Sequence, residues 1–342
     1  MTTLTFKPKQ VTKRLLAVLP PRAREIVTNR FGLGDSSKKQ TLEAIGKTYG
    51  ITRERVRQIE NYALNSIRKS STFQEEQGVF DELANFIDSL GGMVPEGGFL
   101  KTVAKDTSTQ NHTHLLLVLG ESFKKKKEDS EFKHRWYLDE GLSKKIHESL
   151  RKLYKNLSDD ALIPESELIN SFLNEVKDLN QRYRTEEVVR RWLSLSKTIG
   201  KNPLGEWGRA TSPNVRAKGM RDYAYLAIKQ HGSPMHFREV AHSISDLFDK
   251  RAHEATCHNE LIKDRRFVLV GRGLYALSEW GYTKGIVKDV IREILEKNGP
   301  LTREEIVDKV RKERYVKDNT ILVNLQDSAQ FERGGDGRYI LV

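Results

Sequence analysis

The chain has 342 residues, of which 31% are charged and 37% hydrophobic, with a formal net charge of +12. That length holds roughly two to four domains. A lone cysteine, Cys257, excludes an intrachain disulfide framework, and no apolar run is long enough for a membrane span or a signal-peptide core, so a soluble, intracellular, mostly folded protein is expected.

The charge is uneven. Residues 1–70 hold fifteen Lys+Arg against five Asp+Glu, so +10 of the +12 lies in the first fifth of the chain. Such a module calls for a strongly anionic partner, and double-stranded DNA is the obvious one.

Thr41 to Glu60, TLEAIGKTYGITRERVRQIE, reads as a helix, a tight turn and a second, arginine-dense helix. Gly46 stands where two steeply crossing backbones would approach, and Gly50 where the turn needs positive φ. Ile45, Tyr49 and Ile51 flank them. Thr52 is a natural N-cap, and Val56, Ile59, Ala63 and Ile67 recur at helical spacing as an inward face. Arg53, Glu54, Arg57, Gln58 and Asn61 fall on the other side. Arg can pair with guanine, Gln with adenine, and Glu can accept from cytosine, so this reads as a recognition helix entering the major groove.

Residues 19–69 also resemble region four of the sigma-70 family of bacterial transcription initiation factors. The resemblance rests on Arg24, Glu25, Arg30, Phe31, Gly32 and Leu33 and on the run Thr52 to Glu60. It implies a helix that reads the −35 promoter element, with Arg53, Glu54 and Gln58 on bases. It also implies Arg30, Thr41, Leu42, Arg55 and Arg57 at the DNA backbone, and docking on the beta flap of core RNA polymerase. Only eighteen residues precede Leu19. The −10-reading region of a full sigma factor is therefore not expected here, and duplex reading is implied without the whole initiation cycle.

Three later segments repeat one plan of helices followed by a short extended pair. The pairs fall around Phe123 and Trp136-Tyr137-Leu138, Phe267 and Tyr275-Ala276-Leu277, and Phe331 and Tyr339-Ile340-Leu341. Helices ahead of a two-stranded hairpin are the winged-helix pattern. Gly271-Arg272-Gly273 and Gly334-Gly335-Asp336-Gly337 supply the turns of two hairpins. Helices are expected over Phe80–Leu90, Tyr223–Gln230, Phe237–Phe248 and Ile286–Lys297, and Thr302 with Glu305 forms a capping box. Lys124, Lys125, Lys126 and Lys127 lie on the first wing, where they would grip phosphates or simply line a solvated hairpin.

Between the first two repeats, residues 141–210 are largely helical, with packing stripes such as Ile146, Leu150, Leu153 and Leu157. His236 to Val240 and Gly273 to Leu277 resemble the HARE-HTH family over about Val215 to Tyr282. Those winged-helix modules occur in the delta subunit of bacterial RNA polymerase, in chromatin-associated proteins and in restriction systems, which implies nucleic-acid or polymerase association.

The fold class expected is therefore mainly α: an N-terminal helix-turn-helix domain plus several winged-helix domains. The expected division is 1–72, helix-turn-helix; 75–140, winged helix; 141–214, helical spacer; 215–283, HARE-HTH-like; 284–342, C-terminal winged helix. His253, Cys257 and His258 lack a fourth ligand for a structural zinc site. His112 and His114 are expected to face solvent or cap a helix. No P-loop, G-x-S-x-G or H-E-x-x-H occurs. No enzyme, cofactor or metal is expected. The leading reading is a cytoplasmic, nucleoid-associated, sequence-specific transcription protein that binds double-stranded DNA and RNA polymerase. A polymerase accessory factor resembling the delta subunit, or the DNA-targeting subunit of a restriction or defence system, stands as the alternative.

Overall fold

A computed structural model describes residues 4–282 and 285–342. The chain divides into two compact units, Met1–Gly200 with Trp207–Ala210, and Lys201–Glu206 with Thr211–Val342. Both are mainly helical with small antiparallel sheets.

The first unit opens with α1 (Pro8–Ala17), α2 (Pro21–Phe31), α3 (Leu42–Tyr49), α4 (Arg53–Arg68) and the short α5 (Ser71–Glu75). Next come α6 (Gln77–Ser89), β1 (Met93–Pro95), α7 (Glu96–Val103), α8 (Thr107–Leu119), β2 (Lys124–Lys126) and β3 (Arg135–Tyr137). The sheet order β1-β3-β2 is that of a winged helix: the strand after the first helix pairs with the far strand of the wing. Phe123 lies one residue outside the wing strand and is buried. Then follow α9 (Glu140–Asn156), α10 (Glu165–Glu175), α11 (Glu186–Leu193) and the paired strands β4 (Ile199–Lys201) and β5 (Trp207–Arg209).

Strand alternation decides what this first wing can do. Val94 and Trp136 point into a core with Val11, Leu15, Val27, Phe31, Ala63 and Leu116. Their neighbours Met93 and Tyr137 point into a second core with Ile146, Phe172 and Trp192 from α9, α10 and α11. Side chains on a strand alternate faces, so one small sheet seals two cores at once. All three residues of β3 are buried.

Helix α8, the third helix of this winged fold, is closed as well. Its Asn111, His112, Thr113, Leu115, Leu116, Leu117 and Leu119 are all buried, and it packs on α1, α2 and α4. Asn111 Nδ2 donates to the carbonyls of Gly32 and Ser37 at 2.9 and 2.8 Å. Arg68 on α4 donates to the carbonyls of Leu119 and Val118 at 3.0 and 2.7 Å, satisfying the C-terminal end of α8. Thr12 hydrogen-bonds His112 Nδ1.

This corrects the expectation that His112 and His114 face solvent. Both lie inside α8 in the angle between the helix-turn-helix and the sheet, and burial lowers both pKa values. The His114 ring lies against Phe31 and Trp136.

The second unit repeats the topology twice. In the first copy α12 (Met220–His231), β6 (Met235–His236), α13 (Phe237–Phe248) and α14 (Glu254–Lys263) precede β7 (Phe267–Gly271) and β8 (Leu274–Leu277), in sheet order β6-β8-β7. In the second, α15 (Val287–Asn298), α16 (Arg303–Glu313) and α17 (Asp318–Leu325) precede β9 (Phe331–Arg333) and β10 (Tyr339–Leu341), with a lone bridge from Leu301 to Tyr339 in place of the first strand. The expected capping box is present at Thr302 and Glu305. Buried Arg314 joins the copies by donating to the carbonyls of Leu269 and Gly285, while Tyr315 N donates to Val270 O at 2.8 Å. The expected boundary between Thr283 and Lys284 lies outside the described residues.

Candidate nucleic-acid interface

The elbow between α3 and α4 is built by its glycines and caps. Thr41 Oγ1 accepts from Ala44 N at 3.1 Å, and Thr52 Oγ1 accepts from Arg55 N at 3.2 Å, so each helix starts on a side-chain cap. Gly50 ends α3 at φ 64°, in the left-handed region. A Cβ on Gly46 would sit 2.6 Å from the carbonyl oxygen of Ile51, so only glycine lets the turn lie this close. Ile26, Ile45 and Val56 form a small core beneath the elbow, with Leu42, Tyr49, Ile51 and Ile59 around it.

That core orients α4. Val56, Ala63, Leu64 and Ile67 face inward; Arg53, Glu54, Arg55, Arg57, Gln58 and Asn61 are exposed. Glu54 and Arg57 form a bidentate pair, with Arg57 Nη2 donating at 2.6 Å and Nε at 2.9 Å. Hydrogen bonding to Arg57 lowers the Glu54 pKa, and the same pair raises that of Arg57. Arg55 Nη1 donates to Gln58 Oε1 at 3.1 Å. Four groups able to read or grip a duplex are thus paired with one another along the exposed face. Arg53 stands at the first helical position and, with Lys47 and Arg55, lines a shallow cleft of about 650 Å³ at the elbow.

The remaining named residues sit differently. Leu42 is half-buried in the small core, and the Thr41 hydroxyl is used as a cap. Arg30 lies between α2 and α4: its Nη1 donates to Gln40 O at 3.1 Å, and its Nε is 3.5 Å from Glu60 Oε2. Burial raises the Glu60 pKa despite the attraction of Arg30. Among the four wing lysines, Lys125 pairs with Glu96 and lies over Trp136, and Lys126 pairs with Glu140 and lies over Tyr137. Lys124 reaches the Glu121 carbonyl, and Lys127 is exposed. Cys257 is buried, which pushes its thiol up to about 11. His258 stacks on Phe237 with ring centroids 4.4 Å apart. Among the described residues no group of three or more His, Cys, Asp or Glu could hold a metal ion, and no helix is long and apolar enough to cross a membrane.

Residues 15–69 match the family model described as Sigma-70, region 4. The chain is 55% identical over 56 residues to RNA polymerase sigma factor RpoS of Coxiella burnetii, covering 16% of each chain. It is 39% identical over 80 residues to RNA polymerase sigma factor RpoD of Neisseria gonorrhoeae, covering 23% of this chain and 11% of that one. RNA polymerase sigma factor SigA of Clostridium acetobutylicum is 38% identical over 73 residues, 21% of this chain and 19% of its own. The chain thus spans less than a fifth of the length of these three curated relatives.

Two features of the site escape a linear reading. Tyr62, one turn beyond Gln58 on the outward side of α4, is 61% exposed, unusual for so large a ring. The support from α8 is the other. Its signal was the LLLVL run beside polar residues that are themselves buried: a helix with little amphipathic contrast is covered on every side.

Proposed function

We propose that this protein is a sigma-factor-like transcription protein that reads a −35-like promoter element through α4. The observation that carries the proposal is the exposed row Arg53, Glu54, Arg57 and Gln58, held outward by a glycine elbow and two threonine caps. Arg53, Glu54 and Gln58 take the base-reading roles, and Arg55, Arg57 and Thr41 approach the phosphates. Arg30 and Leu42 act through the packing that sets the angle of the helix. Core RNA polymerase is the proposed protein partner, in keeping with the names of the sigma-factor relatives.

Selection of binding sites from a random duplex library, with the wild-type chain and Arg53→Ala in parallel, tests the reading. The wild type enriches one short motif, and Arg53→Ala loses preference at one base position by about 1–3 kcal/mol. Arg57→Ala weakens all sequences alike and flattens the salt dependence. Equal, sequence-blind losses in both variants would refute the assignment of roles.

A further inference from the structure

The first winged-helix copy differs from the second in what covers its third helix. Helix α8 is buried against α1, α2 and α4, whereas the equivalent face of α14, with Ala255, Thr256 and Asn259, is exposed. Ile262 on α14 is 63% exposed.

The charges around α14 are also arranged unlike those around α9 to α11. In the first unit the cations near α9 to α11 are mostly paired: Lys145 with Asp178, Arg151 with Glu131, Lys152 with Glu175, Arg190 with Glu165, and Lys197 with Glu128. Around α14 it is the carboxylates that are taken. Glu254 pairs with Arg238, Glu260 lies 3.9 Å from Arg221, and Asp264 pairs with Arg266. Arg251, Lys263, Arg265 and Arg272 are exposed, and among the described residues none of these four side chains makes a hydrogen bond or ion pair.

Their placement fits a duplex. Arg251 precedes the N-terminus of α14, Lys263 ends the helix, and Arg265 follows it. A helix of that length spans roughly 15 Å, and the two phosphate walls of a major groove stand about 12 Å apart. Arg272 sits at the tip of the β7–β8 hairpin beside the third helix. The uncharged face between the cations offers an amide, a hydroxyl and methyl groups, which suit base edges.

We propose that α14 and the β7–β8 wing form a second double-stranded DNA contact, with Arg251, Lys263, Arg265 and Arg272 on phosphates. This rests on the DNA-binding reading above and names the winged helix that supplies its support.

The test uses the full chain on a duplex of random sequence several helical turns long, with affinity measured against salt concentration. Arg265→Gln with Arg272→Gln is made both in the wild type and in an Arg53→Ala, Gln58→Ala background. Removing two phosphate contacts lowers the slope of log K against log salt by about 2 in either background. Arg251→Gln with Lys263→Gln, at the opposite ends of the helix, gives the same drop. An unchanged slope with both pairs of substitutions overturns the inference and leaves the face to a protein partner. The base preference lost with Arg53 is scored separately, so failure of the α4 reading shows there and not in this slope.

Discussion

Replacing Asn111 by Ala tests the bond between α8 and the helix-turn-helix. The side chain is 4% exposed, and its amide donates to two carbonyls of the loop that follows α2. Alanine removes both donors and supplies none. The Gly32 carbonyl is buried and loses its partner outright, at a cost of about 1–3 kcal/mol. Ser37 is only half-buried, so water can replace much of what its carbonyl loses, leaving roughly 0.5–1.5 kcal/mol. The expected loss is therefore about 2–4 kcal/mol, read as a lower urea midpoint at unchanged slope. Hydrogen exchange should quicken first between residues 32 and 40. A shift below about 0.5 kcal/mol, the range of ordinary surface substitutions, would refute the view that Asn111 holds this loop to α8.

Two further outcomes follow from the structure. Gly46→Ala gains up to about 1 kcal/mol of helix propensity but drives a methyl group into the Ile51 carbonyl; overpacking of about 1–3 kcal/mol offsets that gain, so stability should fall by a net of roughly 0–2 kcal/mol, and a rise would contradict the close approach. His147 is buried and accepts from Arg135 Nε at 2.7 Å; burial first, and then the charge of Arg135, lowers its pKa to about 4. A depressed base pKa means the fold holds the neutral ring, so this stability is complete above pH 6.5 and is lost as pH falls toward 4, reaching about 3 kcal/mol. Urea titrations at both ends of that window should show a smaller loss in His147→Gln; equal losses would assign the acid sensitivity elsewhere.

The helix-turn-helix was legible because its signals are local. Gly46, Gly50, Thr41 and Thr52 each act within a few residues, and the spacing of Val56, Ala63 and Ile67 marks the inward side of α4 without reference to the rest of the chain. The helix Phe237–Phe248 and the capping box at Thr302 were legible for the same reason. What the sequence concealed is long-range. Nothing near Lys125 or Lys126 announces that Glu96, Glu140 and two aromatic rings hold them. Nor do the flanks of His112 and His114 reveal that helices nearly a hundred residues earlier close over them. The pairing of Arg30 with Glu60 was hidden in the same way, because the two are far apart in the chain and near only in space.

The seat of α8 also has a consequence for synthesis. At synthesis rates of about 5–20 residues per second the roughly 80 residues between Phe31 and Asn111 take about 4–16 s to emerge. During that interval the inner sides of α1 and α2, and of α4 once it is made, lack the cover of α8. A chain ending after residue 72 would lack the α8 leucines that pack with Val11, Leu15, Phe31 and Leu64 in the first core. Completion of α8 ends that exposure, so the helix-turn-helix is fully seated only once Leu119 has been made.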